Sequence, residues 1–346
     1  MLIRQAKELA RQWVREQQQR WPGYAGAFVH GSANWLADDA DLAPTSDLDV
    51  MVVIDGPLPE NRPGKFLYGG VLLEGSFLSR EELRSPEQVL GCYHLAGSFH
   101  QPSVIDDPTG ELTALNAAVA REYARRAWVE RRCADAMARI ERNLHGVPTA
   151  PIWPDQVTAW LFATGITCHV VLVAGLRNPT VRLRYVAAQE LLHAYGRDDD
   201  YLHLLTLLGC AELNAAQVSA HVDALERVFE AAGAALHSPY PYAADLSADA
   251  RPVAIDGSRA LVAAGLHREA MFWIVATYSR CLNVLWRDAP VSVRAIYLPG
   301  YQRLLADLGI TSPTDLARRC AALEAFLPDL WQLALALIAA NPEISD

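Results

Sequence analysis

The run "VHGSANWLADDADLAPTSDLDVMVVID", Val29 to Asp55, places Asp47 and Asp49 on either side of one leucine, at the head of a segment that reads as a buried β-strand. Taking a carboxylate out of water is costly unless something compensates its charge. Alternate side chains of a strand share a face, so Asp47 and Asp49 project together while Leu48 and Val50 project the other way. Two anions that close repel each other, and either one of them holds a proton or a cation lies between them. Magnesium suits the second case, because it takes carboxylate oxygens together with water and substrate phosphates. Upstream, Gly31 and Ser32 end a short apolar run at a turn, where backbone N–H groups and a hydroxyl can approach a phosphate. Ser46 caps the turn into the acidic strand.

Working outward, "AGAFVHGS" and "DLDVMVVID" read as strands, "GGVLLEGSFLS" as a third, and "PSVIDDPTGEL" as a short strand closing in a turn. The N-terminal "MLIRQAKELARQWVREQQQRW" carries Ile3, Ala6, Leu9, Trp13 and Val14 at helical spacing and lacks the apolar core of a signal peptide. From Leu112 onward the pattern changes to long Ala-, Leu- and Arg-rich helices, broken at Gly- and Pro-containing stretches. The expectation is an α+β protein, with a mixed sheet and flanking helices over residues 1–111 and an all-helical domain over 112–346, and a cleft between the two. The segment Val157–Leu176 has no formally charged residue and is long enough to span a bilayer. Its threonines, glycine, cysteine and histidine, with no second such segment following, point to a buried central helix and no membrane.

The chain has 346 residues, 51% of them hydrophobic, and a formal net charge of -10. That balance argues against a broad basic surface for duplex nucleic acid and suits small or cationic partners. Six cysteines without a CxxC pair argue against a zinc framework or secreted disulfides, and a cytoplasmic protein with reduced thiols is expected.

The Gly-Ser turn followed by Asp-x-Asp on a strand resembles the signature of the nucleotidyltransferase superfamily that includes DNA polymerase β, and within it the enzymes that adenylylate aminoglycosides and lincosamides. Gly31, Ser32, Asp47 and Asp49 match that pattern, and Glu74 in "VLLEGSFL" supplies its third acid. The resemblance implies a nucleotidyltransferase-type sheet domain followed by a helical acceptor-binding domain. It further implies that Asp47, Asp49 and Glu74 are the catalytic and metal residues: Asp47 and Asp49 would hold two Mg2+ ions, and Glu74 would ligate one of them or take the proton from the acceptor hydroxyl. A nucleoside triphosphate would be the co-substrate, with Gly31, Ser32 and Ser46 among its contacts. Arg125 and Arg132, on a stripe running through "REYARRAWVERRCADAMARIERN", are the candidate phosphate-binding cations.

The implied activity is transfer of a nucleoside monophosphate, AMP in the simplest case, to a hydroxyl of a small molecule, with release of pyrophosphate and a homodimer as one arrangement. Two alternatives stay open: transfer to an RNA end or a protein side chain, and a degenerate member of the fold that only binds a nucleotide or a partner. The second draws on the insert after Ser32, where Asp38, Asp39 and Asp41 add negative charge.

Overall fold

The computed structural model describes all 346 residues and has an α+β architecture: five strands in one mixed sheet and twelve α-helices. The chain divides into two compact units. One comprises Met1–Asp135 with Asn341–Asp346, and the other Ala136–Ala340.

In the first unit, α1 (Ile3–Gln17) precedes β1 (Tyr24–His30), β2 (Leu48–Ile54), β3 (Gly64–Tyr68) and β4 (Val71–Ser79). The short α2 (Pro86–Leu90), β5 (Val104–Asp106) and α3 (Glu111–Glu122) follow. The strand order is β3-β4-β2-β1-β5; β2 and β4 run parallel, and the other neighbours are antiparallel. Period-two alternation divides the strands between two cores. Leu48, Val50 and Val52 turn toward Ile3, Ala6, Ala10, Trp13 and Val14 of α1, the apolar stripe that its sequence spacing predicts. Met51 and Val53 turn to the other side, where Phe28, Leu78, Val89, Leu90, Leu112 and Val119 pack. Asp47 and Asp49 belong to this second face by alternation, at the end of β2 that its apolar cluster does not include.

Sequence reading does not anticipate β3, which forms a hairpin with β4 through Gly69 and Gly70, both at positive φ (57° and 83°). That conformation is easy for glycine and strained for other residues.

The helix read through Arg121–Arg142 is two helices. It breaks at Tyr123–Arg125 and resumes as α4 (Arg126–Gly146). Residues 341–346 close the break: the Arg126 N–H donates to the Ser345 carbonyl (2.7 Å) and the Ser345 N–H to the Ala124 carbonyl (3.1 Å). The division between the units falls inside α4, so α3 and the first part of α4 group with the sheet.

The second unit continues with α5 (Trp153–Ala174), α6 (Arg184–Ala194), α7 (Asp198–Leu208), α8 (Ala215–Ala235), α9 (Gly257–Ala263), α10 (His267–Asp288), α11 (Val291–Asp307) and α12 (Pro313–Ala340). α5 is the uncharged segment of the sequence, packed against α6, α7, α10 and α12, with 83% of its most apolar window buried. Contrary to the expectation of a single such stretch, α12 is also long and apolar enough to cross a membrane by length and composition. Pro328 lies within it, and 39% of its window is buried.

Candidate active site

Strand register places four ionisable residues in one line across the sheet. Lys65 of β3 is opposite Glu74 of β4, Glu74 is level with Asp49 of β2, and Asp49 is opposite His30 of β1. Residues in register on neighbouring strands share a face with Cα atoms about 5 Å apart, so their side chains interact directly. Asp47, two residues before Asp49, joins the line from the same face. One carboxylate oxygen from each of Asp47, Asp49 and Glu74 lies within 4.8 Å of the others.

Lys65 balances much of this charge. Its Nζ donates to Asp47 Oδ2 at 2.5 Å and to Glu74 Oε2, and its side chain is only 6% exposed. Arg62 adds a more distant contact to Glu74 at 3.6 Å. The ammonium is thus held by two carboxylates, with a third in the same group.

Gly31 explains how Asp49 fits. The glycine has φ 67°, and a Cβ built on it would stand 2.2 Å from Asp49 Oδ2. The carboxylate therefore rests against the Gly31 backbone, in space that no side chain can share. Ser32 begins the short helical turn Ser32–Asn34, and the buried Asn34 ties that turn to the Ser98 carbonyl through Nδ2 (2.8 Å). Ser46 is half-buried, and its N–H bonds to the Ala43 carbonyl (2.9 Å), closing a turn directly before Asp47. Gly31, Ser32, Asp47, Asp49 and Glu74 therefore occupy neighbouring positions: the turn after β1, the start of β2 with the residue before it, and β4.

His30 ends the line. Its Nδ1 lies 2.5 Å from Ser98 Oγ, and burial, with a smaller contribution from the charge of His94, pushes its imidazole down to about 4. It is neutral at pH 7.

The arginines are placed differently from expectation. Arg132 is 1% exposed; it donates to the carbonyls of Tyr123 (2.7 Å) and Leu90 (3.3 Å) and stacks over the Tyr123 ring at 4.3 Å. This corrects the reading of Arg132 as part of an accessible phosphate-binding stripe, because it is buried and its two terminal nitrogens already serve backbone carbonyls. It shares the buried side of α4 with Val129, Cys133 and Ala136. Arg125 is exposed and pairs with Glu122 at 2.7 Å, as a solvated helix face does.

Two residues of the site, Lys65 and His30, do not emerge from the sequence reading. The signal for Lys65 was the Gly69-Gly70 pair between two apolar runs, which marks a hairpin and so a strand containing Lys65. For His30 it was the position directly before the Gly-Ser turn.

Other acidic and histidine clusters have structural partners. Asp198, Asp199 and Asp200 form the first turn of α7, and His193 meets Asp198 at 2.9 Å on the surface. Glu269 is 2% exposed and accepts from the Tyr201 hydroxyl, while Arg268 reaches the Ala211 carbonyl (3.4 Å). Asp107 accepts from the Gly110 and Thr113 N–H groups as a turn former.

Neither a scan against protein-family models nor a search of curated proteins returns a match to this chain. The site is therefore read from its own geometry.

Proposed function

We propose that the protein is a divalent-metal-dependent nucleotidyltransferase of the DNA polymerase β-like superfamily. The reaction transfers a nucleoside monophosphate, AMP in the simplest case, from a nucleoside triphosphate to a hydroxyl of a small molecule and releases pyrophosphate. The observation that carries this reading is the convergence of Asp47, Asp49 and Glu74 within 4.8 Å beside a glycine turn that leaves room for Asp49.

The donor set fits magnesium. It consists of hard carboxylate oxygens only, from side chains held in place by sheet register. Asp47, Asp49 and Glu74 would hold the ions, and such ions, when bound, stabilise the attacking and leaving oxygens of an in-line displacement at phosphorus. The chain's own residues do the rest. The Gly31–Ser32 turn offers backbone N–H groups and a hydroxyl to phosphate oxygens. Lys65 must leave at least one of its carboxylates for a cation to bind there, and its ammonium then becomes a donor for substrate phosphate. The net negative charge of the chain favours a small acceptor over a polynucleotide. Six free thiols support a reducing, cytoplasmic setting.

One observation favours a second reading. Because Lys65 already neutralises part of the acidic group, the site has an internal cation and can be a metal-free remnant that only binds a nucleotide or a partner.

The deciding experiment incubates the protein with Mg2+ and each labelled nucleoside triphosphate against a panel of hydroxyl acceptors, following pyrophosphate and adduct mass. Asp49→Asn is expected to lower transfer roughly a thousandfold, about 4 kcal/mol in barrier height. Its melting temperature without metal should be unchanged or higher, since a repelling charge is gone. No pyrophosphate with any acceptor, together with nucleotide binding that survives Asp49→Asn, would select the second reading.

A further inference from the structure

A different set of metal-ligating side chains converges at the turn that follows α2. The Leu95 N–H donates to the Cys92 carbonyl (3.2 Å) and closes a four-residue turn that carries Cys92 and His94 two residues apart. α4 is fastened to the segment before that turn, since Arg132 donates to the Leu90 carbonyl. Asp135 is three residues further along α4, one helical step on the same side. Its Oδ2 accepts the Tyr93 N–H at 3.1 Å, so the carboxylate is oriented by the backbone of the turn itself.

We propose that Cys92, His94 and Asp135 form a binding site for a transition-metal ion, with Zn2+ the ion that best fits the donors. One ligand atom from each lies within 4.8 Å of the others, and Cys92 Sγ is 3.3 Å from His94 Nδ1. A tetrahedral zinc with Zn–S of about 2.3 Å and Zn–N of about 2.0 Å separates sulfur and nitrogen by about 3.5 Å. Only small side-chain adjustment is needed. Thiolate, imidazole and carboxylate together carry two negative charges, which Zn2+ neutralises. The sulfur and nitrogen donors discriminate against Mg2+ and Ca2+, so this site and the all-oxygen group on the sheet select different ions. Three protein ligands leave a fourth position for water or an exogenous ligand, as in open zinc sites. His94 is exposed, which gives an ion a path in.

Without a metal the thiol is inert. Burial pushes Cys92 up to about 11, and the negative charges of Asp135 and Glu82 add to the shift. The Asp135 carboxylate beside a half-buried thiol adds negative charge that attracts a cation. Metal binding forms the metal–sulfur bond and releases the thiol proton to solvent.

Cobalt provides the test, because a thiolate bound to Co2+ has a charge-transfer band in the near ultraviolet and a carboxylate does not. The full chain titrated with Co2+ is expected to develop this band at one equivalent. Cys92→Ser should abolish the band, while His94→Ala and Asp135→Asn should weaken binding by about tenfold or more. Cys320→Ser, which removes the other half-buried thiol, should leave the band intact. Zn2+ should raise the melting temperature of the parent protein and not that of Cys92→Ser, whose fold is checked by its metal-free melt. Absence of the band, its survival in Cys92→Ser, its loss in Cys320→Ser, or equal zinc-induced shifts in parent and Cys92→Ser would each overturn the proposal.

Discussion

Lys65 on the sheet and Arg132 on α4 are both cations removed from water, and their surroundings differ in kind. Lys65 faces full negative charges, those of Asp47 and Glu74 with Asp49 nearby. Arg132 faces two carbonyl dipoles and the ring of Tyr123. Arg184 in the helical unit repeats the second pattern, with its guanidinium 3.8 Å over Phe272 and its Nε bonded to the Val181 carbonyl (2.7 Å). A monovalent ammonium among three acids, with Arg62 at 3.6 Å from one of them, still leaves an excess of negative charge, and a cation of higher charge can compete for it. A guanidinium fitted to carbonyls and a ring is held by directed donors and a face, with no carboxylate beside it to exchange. Exchangeable charge marks the candidate site, and directed charge marks the scaffold.

Arg132 is the costlier of the two cations to remove. Arg132→Met should cost about 3 kcal/mol in urea unfolding, because the Leu90 and Tyr123 carbonyls lose their donor in a buried setting. Mg2+ affinity at the sheet should stay as it was. A stable Arg132→Met protein with weakened nucleotide binding would reverse the assignment and return this arginine to the substrate.

A pH series tests the neutral end of the row. The folded pKa of His30, about 4, lies below the ordinary histidine value, so the unfolded chain takes up the proton first as pH falls. Stability is then complete above about pH 6.5 and declines toward pH 4, with roughly 2 kcal/mol lost between pH 7 and 5. Denaturant midpoints measured across that range in the parent and in His30→Gln should diverge at the high-pH end and approach each other on acidification. Parallel curves would show that His30 titrates normally in the folded state.

Lys65→Met removes the internal competitor, and Mn2+ or Mg2+ measured by calorimetry should bind the metal-free protein about tenfold more tightly, about 1.4 kcal/mol. Weaker metal binding in this variant would make Lys65 an organiser of the acids and not a rival for them.

Much of the sheet was legible because apolar alternation and turn residues are local signals. β2, β4 and β5 lie within stretches recognisable by that pattern, and β1 begins one residue before its own. β3 was not, since "GKFLY" follows the Pro-rich "GPLPENRP" and its alternation is brief. With β3 went Lys65, and with it the charge balance of the site. The shared face of Asp47 and Asp49 follows from strand period alone, but the level of Glu74 and His30 depends on register between strands far apart in sequence, which no local window contains. Arg132 was misplaced for a related reason. A three-and-four stripe of arginines attracts notice, yet Val129, Cys133 and Ala136 define a buried face of the same helix, and Arg132 lies on it.

The break between α3 and α4 is sealed by Ser345, a residue far along the chain. On the ribosome, the carbonyl of Ala124 and the N–H of Arg126 emerge long before their partner exists. The sheet unit can gather its hydrophobic layers early in translation, but its last hydrogen bonds wait until the whole helical unit has been synthesised.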